Sequence, residues 1–154
     1  MSAENWPDIA GRMAEDESGR FHRLPVRVYF EDTDAGGVVY HASYVRFCER
    51  GRTDFLRLLG VEARQLISGE ASNEPAAFVV RRMSLEFLRP ARMDDLLIVE
   101  TRVKELGGAS VTLAQTVTVG GVKVFEAEVI VVLVSVAGKP LRLTDAIRVA
   151  FDEG

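Results

Sequence analysis

One helical pattern followed by an almost unbroken β half constrains this fold most. From residue 78 onward four strand-length runs succeed one another: Phe78 to Leu88, Leu96 to Leu106, Ser110 to Val119 and Val122 to Ala137. The segment from Pro90 to Asp95 and the pairs Gly107–Gly108 and Gly120–Gly121 separate them and read as turns, the glycine pairs as hairpins. In the third run Val111, Leu113, Val117 and Val119 alternate with Thr112, Ala114, Thr116 and Thr118, so one face packs and the other is more polar. The fourth run is apolar on both parities, which predicts an interior strand covered on each face, with a second subunit as one cover.

Only one long helix is available to pack against these strands. From about His41 to Leu59, the residues Tyr44, Phe47, Cys48, Gly51, Phe55, Leu58 and Leu59 recur at helical spacing, while Arg46, Glu49, Arg50, Asp54 and Arg57 lie largely away from them. Gly60 is a natural stop. Gly51 costs roughly 1 kcal/mol relative to alanine in a helix interior, and close contact with a sheet would give it a reason to be there. Upstream, Val26, Val28 and Phe30 alternate with Arg27 and Tyr29, predicting a strand from Leu24 to Phe30 with the first set facing inward. The expected architecture is therefore α+β, one long central helix wrapped by a curved antiparallel sheet of about five strands. Residues 61 to 75 read as a loop or short helix, and the tail L-T-D-A-I-R-V-A-F as a capped helical turn with Thr144 or Asp145 as cap.

Between the first strand and the helix the chain reads E-D-T-D-A-G-G-V-V-Y-H. A strand delivers a carboxylate-rich turn, and the turn delivers a helix N-terminus. Free backbone N–H groups at a helix start can hold a developing negative charge while a nearby carboxylate attacks or activates water, an arrangement suited to acyl chemistry. Asp34 is the candidate carboxylate. Gly36 and Gly37 permit positive φ and close approach of the backbone to a ligand. The competing reading is an acidic turn leading into an ordinary helix.

The stretch E-D-T-D-A-G-G-V-V-Y-H-A-S-Y, followed by R-F-C-E-R-G-R-T in the helix, resembles the 4-hydroxybenzoyl-CoA thioesterase family of hotdog-fold enzymes. Within that family it is most similar to the bacterial acyl-CoA thioesterases associated with the Tol–Pal envelope system. The resemblance resumes in P-V-R-V-Y (25–29), F-V-V-R-R-M (78–83) and P-A-R-M-D-D (90–95), and covers roughly residues 21 to 137. It implies the hotdog fold and hydrolysis of an acyl-CoA thioester to free acid and coenzyme A, with no cofactor and no metal. The family's catalytic aspartate falls on Asp34, as nucleophile or as general base, and the carbonyl-polarising backbone N–H falls on His41. Gly37, Val38, Tyr40, Tyr44 and Arg82 are the implied substrate-binding residues. Arg81, Arg89 and Arg92 join Arg82 as candidates for the coenzyme A phosphates. The His41 imidazole either positions water or the acyl group, or fills a polar gap. Tyr29, Tyr40 and Tyr44 fit the role of pocket wall better than that of acid or base, since a phenol near pKa 10 is poorly matched to neutral pH.

Other chemistries fit less well. As an EF-hand starting at Asp32, the loop would put Gly36 at a ligand position and Ser43 where the bidentate glutamate belongs. Asp32, Asp34 and His41 leave a zinc site as a remaining option. No phosphate-binding glycine motif and no G-x-S-x-G occurs. Cys48, the single cysteine, falls on the apolar helix face and reads as a core thiol. A net charge of −4 argues against a nucleic-acid surface.

With 47% hydrophobic and 27% charged residues, 154 residues suffice for one domain with a real core. Residues 21–154 are expected to form it, with residues 1–20 as a mobile extension that Trp6 anchors. No apolar run is long enough to span a bilayer and none follows a basic N-terminus, so a cytoplasmic protein is expected. Its partners would be acyl-CoA, a candidate acyl carrier protein, and copies of itself in a tetramer built from dimers. A non-catalytic acyl-CoA or acyl-carrier binding or scaffold protein, associated with the cell-envelope machinery, is the rival reading. Such a protein would tolerate loss of Asp34.

Overall fold

The computed structural model describes residue 9 and residues 11–70 and 74–153; Trp6 lies outside them. Six strands form one antiparallel sheet: β1 (Arg12–Asp16), β2 (Gly19–Arg27), β3 (Ala76–Phe87), β4 (Leu96–Leu106), β5 (Ser110–Val119) and β6 (Val122–Ser135). Their order in space is β1-β2-β4-β5-β6-β3. The helices are α1 (His41–Leu58), α2 (Ala63–Ser68) and α3 (Asp145–Glu153). This is the α+β hotdog arrangement that the sequence predicts, with six strands instead of five.

The additional strand, β1, comes from the stretch expected to be an extension. A turn in which Ser18 N–H donates to Asp16 Oδ1 at 2.9 Å, with Gly19 at φ +112°, folds Arg12–Asp16 back onto β2. As an edge strand it can carry charge on its open side, so its sequence, R-M-A-E-D, shows little alternation.

Helix α1 packs on the sheet because its apolar stripe is nearly continuous: Tyr44, Phe47, Cys48 and Phe55 are all buried. Gly51 is where helix and sheet come closest. A Cβ there would lie 2.9 Å from Val99 Cγ1 and 3.3 Å from both Gln115 Nε2 and Thr101 Oγ1, so the glycine is required by contact with β4 and β5. Tyr44 stacks on Phe125 of β6 with ring centroids 4.9 Å apart and planes at 6°. Strand β6 lies inside the sheet, as expected, with its odd-numbered residues from Phe125 to Leu133 buried and Ile130 and Val134 half-buried.

The Gly120–Gly121 hairpin has positive φ at both positions, +55° and +83°. The tail exceeds one turn: α3 is capped by Thr144, whose Oγ1 accepts from Ile147 N–H at 3.2 Å, and Phe151 packs against Phe55 and Phe78. Among the described residues no helix is long and apolar enough to cross a membrane.

Candidate active site

The first predicted strand ends early, and the reason lies in Asp32. Its carboxylate accepts the Tyr29 N–H at 2.8 Å, turning Phe30–Asp32 into a short 3-10 helix and leaving Phe30, expected inside, 81% exposed. Asp32 itself is buried. Its Oδ1 accepts from Arg46 Nη2 of α1 at 3.1 Å, while its carbonyl accepts from Tyr40 N–H at 2.8 Å and Ser43 Oγ at 3.1 Å. The loop is thereby tied to the first two turns of the helix.

Asp34 stands at the tip of a small hairpin. Thr33 bridges Val39, Asp34 N–H donates to Val38 O at 2.9 Å, and Gly37 N–H donates back to Asp34 O at 3.0 Å, with Gly37 at φ +78°. Positive φ is used at Gly37 and not at Gly36. Gly36 instead donates its N–H to Asp34 Oδ1 at 2.8 Å, a bond a proline would remove. The Asp34 carboxylate is exposed, and Gly36 N–H is its one hydrogen-bond donor among the described residues.

The other arm of the hairpin runs through Val38 and Val39 into α1. Val39 N–H donates to Ala91 O at 2.8 Å and Val38 bridges Arg92, so the segment from Pro90 to Arg92 holds this arm. Tyr40 is the residue before the first helical turn and makes no side-chain cap. The N–H groups of His41 and Ala42 therefore have no acceptor from the helix or its cap.

The His41 ring packs on Tyr40 at 4.4 Å and edge-on to Phe87 at 6.2 Å. His41, Val39, Tyr44 and the segment Phe87 to Pro90 line an open pocket of about 230 Å³. Tyr44 is part of its wall: its Oη accepts from Ala91 N–H at 3.2 Å, and burial pushes its phenol above the ordinary value.

The candidates are thus only partly gathered. His41 and Tyr44 line the pocket; Gly37, Val38 and Tyr40 sit in or beside the hairpin; Asp34 tops it without being part of the pocket wall. Arg82 is elsewhere. It sits at a bulge in β3 opposite Ile130, five residues from Phe87, or about 16 Å along an extended strand. Of the four arginines only Arg89 lines the pocket. No group of three or more His, Cys, Asp or Glu suited to a metal occurs among the described residues. Cys48 is a buried thiol, pushed up to about 12 by desolvation, and so unsuited to nucleophilic attack.

Two buried polar groups escaped the sequence reading. Asp54 and Arg52 occur on a helix rich in surface charge, and nothing local distinguishes them from solvated residues. Both are buried, Asp54 against His22 of β2 at 2.6 Å and Arg52 against Gln115 of β5 at 3.0 Å. The partners are far away in sequence, so only the fold reveals them.

The Thioesterase superfamily matches this chain over residues 36–126, a span that begins just after Asp34. Over 133 residues, 85% of this chain and 96% of the relative, the sequence is 45% identical to the acyl-CoA thioester hydrolase YbgC of Escherichia coli O6:H1. It is 41% identical over 129 residues to the acyl-CoA thioesterase YbgC of Haemophilus influenzae, covering 83% and 92% of the two chains. Among solved structures, a probable thioesterase from Bartonella henselae superposes with a TM-score of 0.78 at 44% identity, over 80% of this chain and 99% of that one.

Proposed function

Because this chain belongs to the thioesterase superfamily, we propose that it hydrolyses the thioester of an acyl-CoA to the free acid and coenzyme A. The observation that carries the reading is one short hairpin with an exposed carboxylate, Asp34, on one arm and an uncapped helix N-terminus, at His41, on the other. The thioester carbonyl oxygen accepts the His41 N–H, which stabilises the negative charge that develops as the carbonyl carbon becomes tetrahedral. Asp34 either attacks that carbon, giving an anhydride that water then opens, or takes a proton from the attacking water. The C–S bond breaks and the sulfur leaves with the electron pair, to be protonated as the thiol of coenzyme A.

Tyr44 forms the wall beside the acyl carbonyl, Gly37 and Val38 shape the hairpin over it, and Tyr40 flanks it. Arg89, which lines the same pocket, is the cation we assign to a coenzyme A phosphate. Arg82 joins the site only if β3 of a second subunit approaches it, consistent with a homotetramer in which β3 edges pair. We assign the enzyme to the cytoplasm, where acyl-CoA and acyl carrier protein are made.

A panel of acyl-CoA esters assayed by free-thiol release tests the reading. Hydrolysis of at least one ester by the parent and none by Asp34→Asn is expected. Binding without hydrolysis by the parent, unchanged in that variant, would establish the rival, a non-catalytic acyl-binding or scaffold protein.

A further inference from the structure

A second cavity, of about 290 Å³, lies toward the other end of α1. Leu56, Leu66, Phe78, Val131 and Phe151 give it an apolar wall, and Arg52 lines it as well. Arg52 follows His41 by eleven residues, roughly 16 Å along the helix axis. The two cavities share no lining residue.

Arg52 is only 8% exposed. Its Nη1 donates to Gln115 Oε1 at 3.0 Å, and Gln115 is in turn fixed by donating Nε2 to Cys48 O and Thr101 Oγ1, each at 2.9 Å. None of the ion pairs formed by the described residues includes Arg52. Glu49, one turn earlier, also lines the cavity; its Oε1 accepts from Thr53 Oγ1 at 2.7 Å, which holds the carboxylate out of ion-pair contact with Arg52 although its charge still acts on the guanidinium. A guanidinium has five donors in a planar fork and stays charged. Its direct partner is a neutral amide, and the charge of Glu49 acts on it only from beyond ion-pair distance, so a buried cation whose lost hydration is best offset by an anion in contact keeps capacity for a closer one.

The geometry points to this cavity as a binding site for the free carboxylate of a medium-chain aliphatic acid, its head on the Arg52 fork and its chain among Leu56, Leu66, Phe78 and Phe151. The volume equals roughly ten water-sized groups, which suits a chain of about eight to ten carbons. The charge of the head, not its polarity alone, is what the site selects. Binding here is independent of thioester hydrolysis.

Calorimetric titration of the full chain with octanoate and with octan-1-ol tests this. Saturable binding of octanoate, with octan-1-ol at least tenfold weaker, is expected. Arg52→Gln should weaken octanoate at least tenfold, whereas Asp34→Asn should leave it unchanged. Should Arg52→Gln fail to fold, Ile67 decides, since it lines the cavity and is 64% exposed, so that charge there is tolerated. Ile67→Glu should weaken octanoate severalfold and Ile67→Lys should not. Absence of octanoate binding, equal binding of octan-1-ol, or identical affinities of the two Ile67 variants would overturn the assignment.

Discussion

Arg46 Nη2 lies 3.1 Å from Asp32 Oδ1 and thereby fixes the loop that carries Asp34 to helix α1. The two carboxylates of D-T-D have opposite environments. Asp32 is 4% exposed and holds the backbone of the loop, whereas Asp34 is exposed and holds only the turn at its own tip.

Their amide variants should therefore separate stability from activity. In Asp32→Asn one carboxylate oxygen becomes an amide nitrogen facing a donor, Tyr29 N–H or Arg46, at a cost of about 1 to 3 kcal/mol. Asp34→Asn keeps the oxygen that accepts from Gly36 and should shift stability by no more than about 0.5 kcal/mol. Turnover should show the reverse order. Asp34→Asn loses on the order of 10³ or more, and folded Asp32→Asn loses much less. Urea midpoints and thiol release on the same preparations measure both, and a fully active Asp34→Asn removes that residue from the mechanism.

His22 and Asp54 give the fold an acid-sensitive point. His22 is fully buried on β2 with Nε2 2.6 Å from Asp54 Oδ2, which also accepts Gly11 N–H at 2.7 Å, and the His22 Nδ1 has no partner among the described residues. Burial pulls the imidazole below its ordinary value, with the hydrogen bond and charge of Asp54 opposing. A histidine lowered in the folded state binds protons more readily when unfolded. Stability is therefore complete above the ordinary imidazole pKa, about 6.5, and declines as pH falls below it, until the folded pKa is passed. The urea midpoint of the parent should fall over that range, and His22→Gln should flatten the fall. A parent that grows more stable on acidification would mean that Asp54 outweighs burial.

How much of this was legible depended on how local each signal was. The helix and β4 and β5 follow from the side-chain period, and Gly51 announced its contact because a glycine inside a helix needs a reason. Strand β1 was hidden because an edge strand needs no alternation. Phe30 was misread as inward because the Asp32–Tyr29 bond, which ends the strand, leaves no trace in hydrophobicity. For the site, the acidic turn before a helix start pointed to Asp34 only together with the family resemblance, which also supplied His41. Phe87 to Pro90 complete the pocket from far along the chain, and no spacing connects them to His41.

The open edge of the sheet predicts self-association. Strand β3 ends the sheet with twelve residues and, among the described residues, no partner on its outer side, and Val79 and Val80 are 43% and 45% exposed there. A long apolar edge of this kind invites pairing with another strand. Light scattering at micromolar concentration should give a mass several times 17.0 kDa, and Val79→Lys should reduce it. A single species of monomer mass in the parent would leave β3 a free edge.

Which part of His41 acts can be settled by two substitutions that both remove the imidazole. His41→Ala keeps the backbone N–H at the first helical position, and His41→Pro deletes it. Proline suits this position on two counts. The first helical N–H makes no intrahelical bond, and Tyr40, at φ −63° and ψ 135°, already has the extended backbone that the residue before a proline prefers. Both variants lose the same ring contacts with Tyr40 and Phe87, so their difference isolates the donor. If the N–H polarises the thioester carbonyl, His41→Pro should fall on the order of 10² to 10³ below His41→Ala in turnover, with circular dichroism of the two alike. Should His41→Ala itself fall as far as Asp34→Asn, the imidazole is catalytic and the oxyanion is held elsewhere.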